Sequence, residues 1–210
     1  MKIGILGSGN IGGTAARLFV EAGHEVILAR SRGPEALREM VATLPGKAEA
    51  ATVDEAARAA DVIHVAIPLF AYRSLPPAAF AGKIVIDAMN YYPSRDGNIA
   101  ELDSGALTSS ELLAKHLPGS RIVKAFNTIW SEHLKAQGNT SLPVDKRRAI
   151  FLAGDDADAK RTVAELIAGI GFGPVDTGDL KVGGVKQQPD SPFYNKGMTR
   201  AEGAEAVRAG

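Results

Sequence analysis

Residues 2–13 read Lys2-Ile3-Gly4-Ile5-Leu6-Gly7-Ser8-Gly9-Asn10-Ile11-Gly12-Gly13. An apolar run passes directly into G-x-G-x-x-G, after which Ile11, Ala15, Leu18, Phe19 and Ala22 recur at helical spacing. Strand, glycine turn and amphipathic helix in that order make the full context of a dinucleotide-binding fingerprint. In that setting Gly7 makes the tight turn, Gly9 admits a pyrophosphate to the backbone, and Gly12 lets the helix pack close to the strand. Unpaired amides and the helix dipole then favour the phosphates. A plain tight βα turn is the alternative, and the complete context favours the nucleotide.

The next apolar run, Val26–Ala29, ends in Arg30-Ser31-Arg32-Gly33. An NAD site places Asp or Glu about 20 residues past the glycine turn, on the ribose 2′-hydroxyl. Here two guanidiniums and a hydroxyl stand in that place, and arginine forks suit a 2′-phosphate. The expected cofactor is therefore NADP(H), bound by Gly7, Gly9 and Gly12 of the turn and by Arg30, Ser31 and Arg32.

Further along, short apolar runs alternate with helix-period segments, the pattern of a parallel sheet with crossover helices. Strands are expected at 2–6, 26–29, 47–51 (weak), 61–67, 83–88, 121–126, 149–153 and 172–176. Helices are expected from Pro34 to Leu44, from a Thr52 cap to Ala59, over 107–117, and from Asp155 or Asp156 to Ile170. Residues 90–102 carry turn residues and read as a loop. From Gly178 the chain is rich in Gly and Pro, with a short helix expected within 198–210. The fold class is thus α/β, a Rossmann-type, doubly wound, mostly parallel sheet. Residues 1–180 form the NADP-binding domain, and 181–210 form a C-terminal arm, a candidate oligomer contact.

Composition narrows the function classes. The chain has 210 residues, no cysteine and 24 acidic against 24 basic side chains. Absence of cysteine excludes disulfides, thiolate clusters and a cysteine nucleophile. Balanced charge gives no bulk case for nucleic acid or an anionic membrane. No apolar stretch approaches the ~20 residues of a spanning helix, and nothing near Met1 resembles a secretory leader. The expectation is a cytoplasmic protein with a small-molecule partner, no nucleic acid and no membrane.

Ligands of open α/β sheets sit beyond the C-terminal strand ends. Those ends are Ala66-Ile67-Pro68-Leu69, Asp87-Ala88-Met89-Asn90 and Lys124-Ala125-Phe126-Asn127-Thr128. Ile67, Pro68 and Leu69 are expected to line the cofactor cleft, Ala125 to lie beside it, and Asn90 and Asn127 to orient ribose or carboxamide. Asn also forms turns at such places.

The segments KIGILGSGNIGG, AGHEVILARSRGPE, ADVIHVAIPLFAY, GKIVIDAMN, RIVKAFNT, FLAGDDADAK and GFGPVDTGDL resemble, in order, the NADPH-dependent F-420 reductase family. A similar domain occurs at the N-terminus of the STEAP metalloreductases. The resemblance implies NADP(H) contacts at Ser8, Asn10 and Ile11, and hydride transfer between nicotinamide and a flavin-like ring. Coenzyme F-420 is the first acceptor to consider and a flavin the second. It also implies a homodimer. Three features depart from the deazaflavin enzymes: the glycine turn is one residue shorter, Asn127-Thr128-Ile129 replaces His-Thr-Ile, and the segment after Gly183 differs.

No catalytic triad or dyad can be assembled, and His24, His64, His116 and His133 have no metal-ligand spacing. His24 and His64 read as structural. Trp130, Tyr91, Tyr92 and Phe70 are candidates to stack on an acceptor ring or simply to pack. A carbonyl or imine reductase would want a proton donor, for which Lys124 and His133 are the candidates. A non-catalytic NADP-binding sensor is the remaining alternative.

Overall fold

The computed structural model describes residues 1–209. Eight strands form one sheet: β1 (Lys2–Leu6), β2 (Glu25–Ala29), β3 (Ala48–Ala51), β4 (Val62–Val65), β5 (Ile84–Asp87), β6 (Arg121–Ala125), β7 (Ala149–Gly154) and β8 (Gly173–Asp176). Their order is β3-β2-β1-β4-β5-β6-β7-β8. All neighbours are parallel except β6 and β7, which pair antiparallel with Lys124 opposite Ala153. Because β1 lies between β2 and β4, the chain reverses its winding there. That switch point is where a ligand crevice opens in such sheets.

Every strand the sequence predicts is present, most of them shortened by a residue or two at the ends. Both faces of the sheet are covered, so the central strands read as continuous apolar runs. Ile3, Ile5, Leu28, Ile86 and Val123 pack on one side with Phe19 of the Asn10–Glu21 helix. Leu6, Ile27, Ile63, Val65 and Val85 pack on the other with Phe80 and Leu113. Gly4 lies on this second face, where a Cβ would come within 3.1 Å of Ala60 Cβ, just past the helix Val53–Ala59.

Helix starts follow capping chemistry. Thr52 and Glu55 form a capping box at Val53–Ala59, and Thr108 and Glu111 form another at Ser109–His116. The Asp156 side chain caps Ala157–Gly169 by accepting from Ala159 N at 2.7 Å. The segment expected as a loop differs: it holds two single-turn helices, Pro93–Asp96 and Ala100–Asp103. One turn is too short to leave a periodic signal.

The C-terminal residues fold back over β7 and β8. Phe193 stacks on Phe151 with centroids 4.7 Å apart. Ala204 and Val207 of the Arg200–Ala209 helix pack on the same small core. A single bridge joins Arg148 to Thr199. No helix among the described residues is long and apolar enough to cross a membrane.

Candidate functional site

The glycine turn is built by close approach. Gly7 has φ of +104°, and a Cβ there would lie 2.3 Å from the Ala66 carbonyl oxygen. A Cβ on Gly12 would lie 2.0 Å from the Gly7 oxygen. Neither position accepts a side chain, so β1, β4 and the helix are locked together. Gly9 is the opposite case: a Cβ there would meet nothing within 4 Å. Gly9 also caps the Asn10–Glu21 helix with no side-chain bond and no acidic residue in the first turn. The first backbone bond into that helix runs from Gly13 N to Gly9 O at 2.8 Å. The preceding amides, of Asn10, Ile11 and Gly12, are therefore free for an anion. Ser8 is half-buried beside them.

β2 delivers its end to the same place, since Gly7 N donates to Ala29 O at 2.9 Å. Arg30 follows one peptide later and is half-buried, while Ser31 and Arg32 are exposed. Neither guanidinium has an ion pair among the described residues, whereas Arg58 and Arg95 do. Two unspent cations beside an unpaired helix start suit an anionic ligand with a second phosphate.

A cleft of about 470 Å³ opens from this turn over the ends of β4, β5 and β6. Of the expected residues, Gly9, Asn10, Ile11, Ile67, Pro68, Asn90 and Asn127 line it. Gly7, Ser8, Gly12 and the wholly buried Leu69 are not among its lining residues, and Arg30, Ser31 and Arg32 lie off it, just past the end of β2. Ala125 is wholly buried in β6 opposite Leu152, and the next residue, Phe126, forms the wall instead.

Phe126 has φ of +67°, a left-handed conformation that is costly for a bulky side chain, on the order of 1–3 kcal/mol. Its ring is held edge-on by His64 (5.2 Å) and Phe19 (6.1 Å). The bend turns Asn127 towards β5. Asn127 Nδ2 donates to Asn90 Oδ1 (3.0 Å) and to the Gln187 carbonyl (2.7 Å), and Asn90 Nδ2 donates to the Asn127 carbonyl (3.0 Å). Both amide protons of Asn127 are thus committed to the protein. Asn90 retains one N–H directed elsewhere. Gln187 is itself fully buried. With its amide turned to satisfy every neighbour, it donates to Asn127 Oδ1 and Phe151 O and accepts from Ala153 N and Thr177 Oγ1.

Behind this clip lies a buried ion pair. Lys124 Nζ donates to Met89 O (2.9 Å), Ser109 Oγ (3.3 Å) and Asp87 Oδ2 (3.4 Å). Asp87 also accepts from Ser110 Oγ (2.6 Å) and Met89 N (2.9 Å). Lys124 is therefore a strut beneath residues 87–90 and does not line the cleft, which removes it as a proton donor to a ligand there. His133 stacks on Trp130 at 5.9 Å, outside the lining. His64 is wholly buried with neither ring nitrogen partnered, and burial pushes its pKa down to about 4.

Among the aromatic candidates, Trp130 and Tyr92 line the cleft, and Tyr91 and Phe70 do not. Tyr91 is spent on scaffolding: its hydroxyl donates to Asp103 Oδ1 (2.6 Å) and accepts from Ile99 N (3.0 Å). Tyr92 meets Tyr194 hydroxyl to hydroxyl. Burial first, then Tyr92, raises the Tyr194 pKa well above the usual phenol range.

Arg95, Ser131 and Glu132 also line the cleft and carry no signal in the sequence, and Tyr194 and Asn195 reach it from the segment after Gly183 that departs from the deazaflavin enzymes. Arg95 sits in a single-turn helix without periodicity. Tyr194 reaches the site through a contact 102 residues away in sequence, for which no local pattern exists.

Comparison with known proteins agrees with this geometry. The family model described as "NADP oxidoreductase coenzyme F420-dependent" matches residues 2–91. Metalloreductase STEAP3 of Rattus norvegicus is 35% identical over 181 residues, covering 85% of this chain and 34% of its own. Metalloreductase STEAP2 of Homo sapiens is 27% identical, covering 86% of this chain and 34% of its own. The chain therefore spans about a third of the length of these curated relatives. A solved structure of a hypothetical protein from Sinorhizobium meliloti superposes with a TM-score of 0.83 at 32% identity, covering 95% of both chains.

Proposed function

Because this chain belongs to the F420-type family of NADP oxidoreductases, we propose that it transfers hydride between NADPH and a flavin-like acceptor. Coenzyme F420 is the first acceptor to test and a free flavin the second. The observation that carries this reading is the continuity of the site. An open glycine at an uncapped helix start leads into a cleft floored by apolar strand ends and edged by Trp130 and Tyr92.

The residues suit the nucleotide. The amides of Asn10, Ile11 and Gly12 would hold its pyrophosphate, with Ser8 alongside. Arg30, Ser31 and Arg32 would hold the 2′-phosphate. When bound, NADPH supplies a hydride from its nicotinamide ring. The protein supplies placement. Ile11, Ile67, Pro68, Met89 and Ile129 give the cleft an apolar wall against which a ring can lie. Asn90, which lines the cleft, has one N–H left to offer a ring carbonyl. Hydride transfer between stacked rings needs orientation more than acid–base groups. That agrees with Lys124 and His133 lying off the lining.

The same reading takes the working form as a cytoplasmic homodimer, and light scattering checks the dimer. The activity test is acceptor-dependent oxidation of NADPH by purified protein, offered F420, FMN or FAD. Oxidation with at least one acceptor is expected. No oxidation with any of them would overturn the proposal.

A further inference from the structure

The cleft has one cationic side chain among its lining residues, Arg95. It is not a loose surface charge. Its Nε donates to Asp96 Oδ1 and its Nη2 to Asp96 Oδ2, both at 2.9 Å. Nη2 also donates to the Asn90 carbonyl at 2.7 Å. The guanidinium lies 4.9 Å above the Tyr92 ring centroid, a cation–π contact.

Asp96 is a firm anchor. Its side chain is wholly buried and accepts from Tyr92 N (2.9 Å) and Phe70 N (3.2 Å). Burial opposes its ionisation, but the Arg95 and amide hydrogen bonds outweigh that and hold its pKa below the usual range.

Two donors are left over. Nη1 of Arg95 makes no hydrogen bond among the described residues, on a side chain 40% exposed. The Tyr92 and Tyr194 hydroxyls hold two protons between them, and their mutual bond uses one. The fixed guanidinium edge and the spare O–H lie on the β5 side of the cleft. The unpaired arginines meant for the nucleotide lie across it, at the end of β2.

We propose that Arg95, backed by the Tyr92–Tyr194 pair, is the acceptor-selecting residue, and that it takes a ring whose side chain carries a phosphate. This rests on the reading of the cleft as a hydride-transfer site. The pyrophosphate and 2′-phosphate of NADPH are accounted for at the glycine turn and β2, so a third anion-binding group belongs to the second substrate. A preset guanidinium loses little entropy on binding phosphate and favours it over a neutral hydroxyl. Tyr194 is a positioning residue that reaches the acceptor through Tyr92 and Arg95.

The test compares ring pairs differing in the phosphate: FMN against riboflavin, and F420 against its phosphate-free ring-and-ribityl fragment. Binding is followed in the presence of NADP⁺, and turnover with NADPH. The phosphorylated member of at least one pair is expected to bind and react about tenfold better or more. In Arg95→Gln that ratio should fall to near unity while the Kd for NADPH stays within about twofold. Tyr194→Phe leaves the Arg95–Asp96 pair intact and guards against misfolding. It should reduce the ratio about threefold with the KM for NADPH unmoved.

Turnover with no preference, or a preference untouched by both variants, would overturn this inference and leave the proposed activity standing. A preference in binding that Arg95→Gln abolishes, without any NADPH oxidation, would sustain this inference and overturn the activity. No binding of any ring would overturn both.

Discussion

The two ends of the cleft are made in different ways. The nucleotide end is contiguous: 12 residues from Lys2 to Gly13 supply the strand, the turn and the helix start, and β2 adds Arg30–Arg32 across a single ladder. Its binding groups are mostly backbone amides, placed by close approach between glycines. The acceptor end is assembled from distant pieces. Asn90 meets Asn127 across 37 residues, Asn127 meets Gln187 across 60, and Tyr92 meets Tyr194 across 102. Its groups are side chains held by other side chains. On the proposed reading, the first arrangement would hold a ligand shared by a whole fold class. The second can change with any of several distant segments, and would decide what that ligand reacts with.

The largest effects should come from the glycines, and they should split. Gly12→Ala places a methyl 2.0 Å from a backbone oxygen and is expected to lose both the fold and NADPH binding in thermal melts and titrations. Gly9→Ala meets no protein atom, so it should melt like the wild type while binding NADPH at least about tenfold more weakly, because its methyl enters the phosphate's place. Equal losses of stability in both would break the distinction between a packing glycine and a binding glycine.

Next is the strut under the acceptor end. Asp87→Ala leaves the Lys124 ammonium buried without its carboxylate, which should cost about 3–5 kcal/mol in denaturant unfolding. Ser110 and the Met89 amide would lose an acceptor as well. A loss below about 1 kcal/mol would mean the pair is not holding residues 87–90.

The nucleotide selectivity is smaller and more specific. Arg32→Asp should weaken NADPH by about 1.5–3 kcal/mol, the scale of a charged hydrogen bond, and weaken NADH far less. Equal effects on both nucleotides would misplace the phosphate trap.

The smallest effect is a pH slope. His64 is neutral in the fold, with its pKa lowered from 6.5 to about 4. Below pH 6.5 the unfolded chain takes up a proton that the folded chain refuses, so stability falls as pH falls towards 4. The slope is at most about 1.4 kcal/mol per pH unit. His64→Leu should flatten that part of the curve, and an unchanged slope would assign it to other groups.

The contrast also accounts for what could be read in advance. The sheet and the glycine turn are legible in the sequence because strand burial and glycine spacing are local signals. Lys124 was not legible as a strut. Its letter suggests a solvated cation or a proton donor, and only the fold brings Asp87, Met89 and Ser109 around it. Ala125 was expected beside the ligand because it ends β6, but the left-handed turn at Phe126 moves the wall on by one residue. Arg95 and Tyr194 lie in segments with no periodicity, where chemistry is decided by tertiary contact alone.

The central claim is that the nucleotide end selects a phosphorylated dinucleotide. Trp130 is the sole tryptophan and is 62% exposed at the cleft, so its fluorescence should report occupancy directly. Titration of the wild-type protein with NADPH and with NADH is expected to quench Trp130 at concentrations at least about tenfold lower for NADPH. Quenching by both at the same concentration, or by neither, would contradict the account.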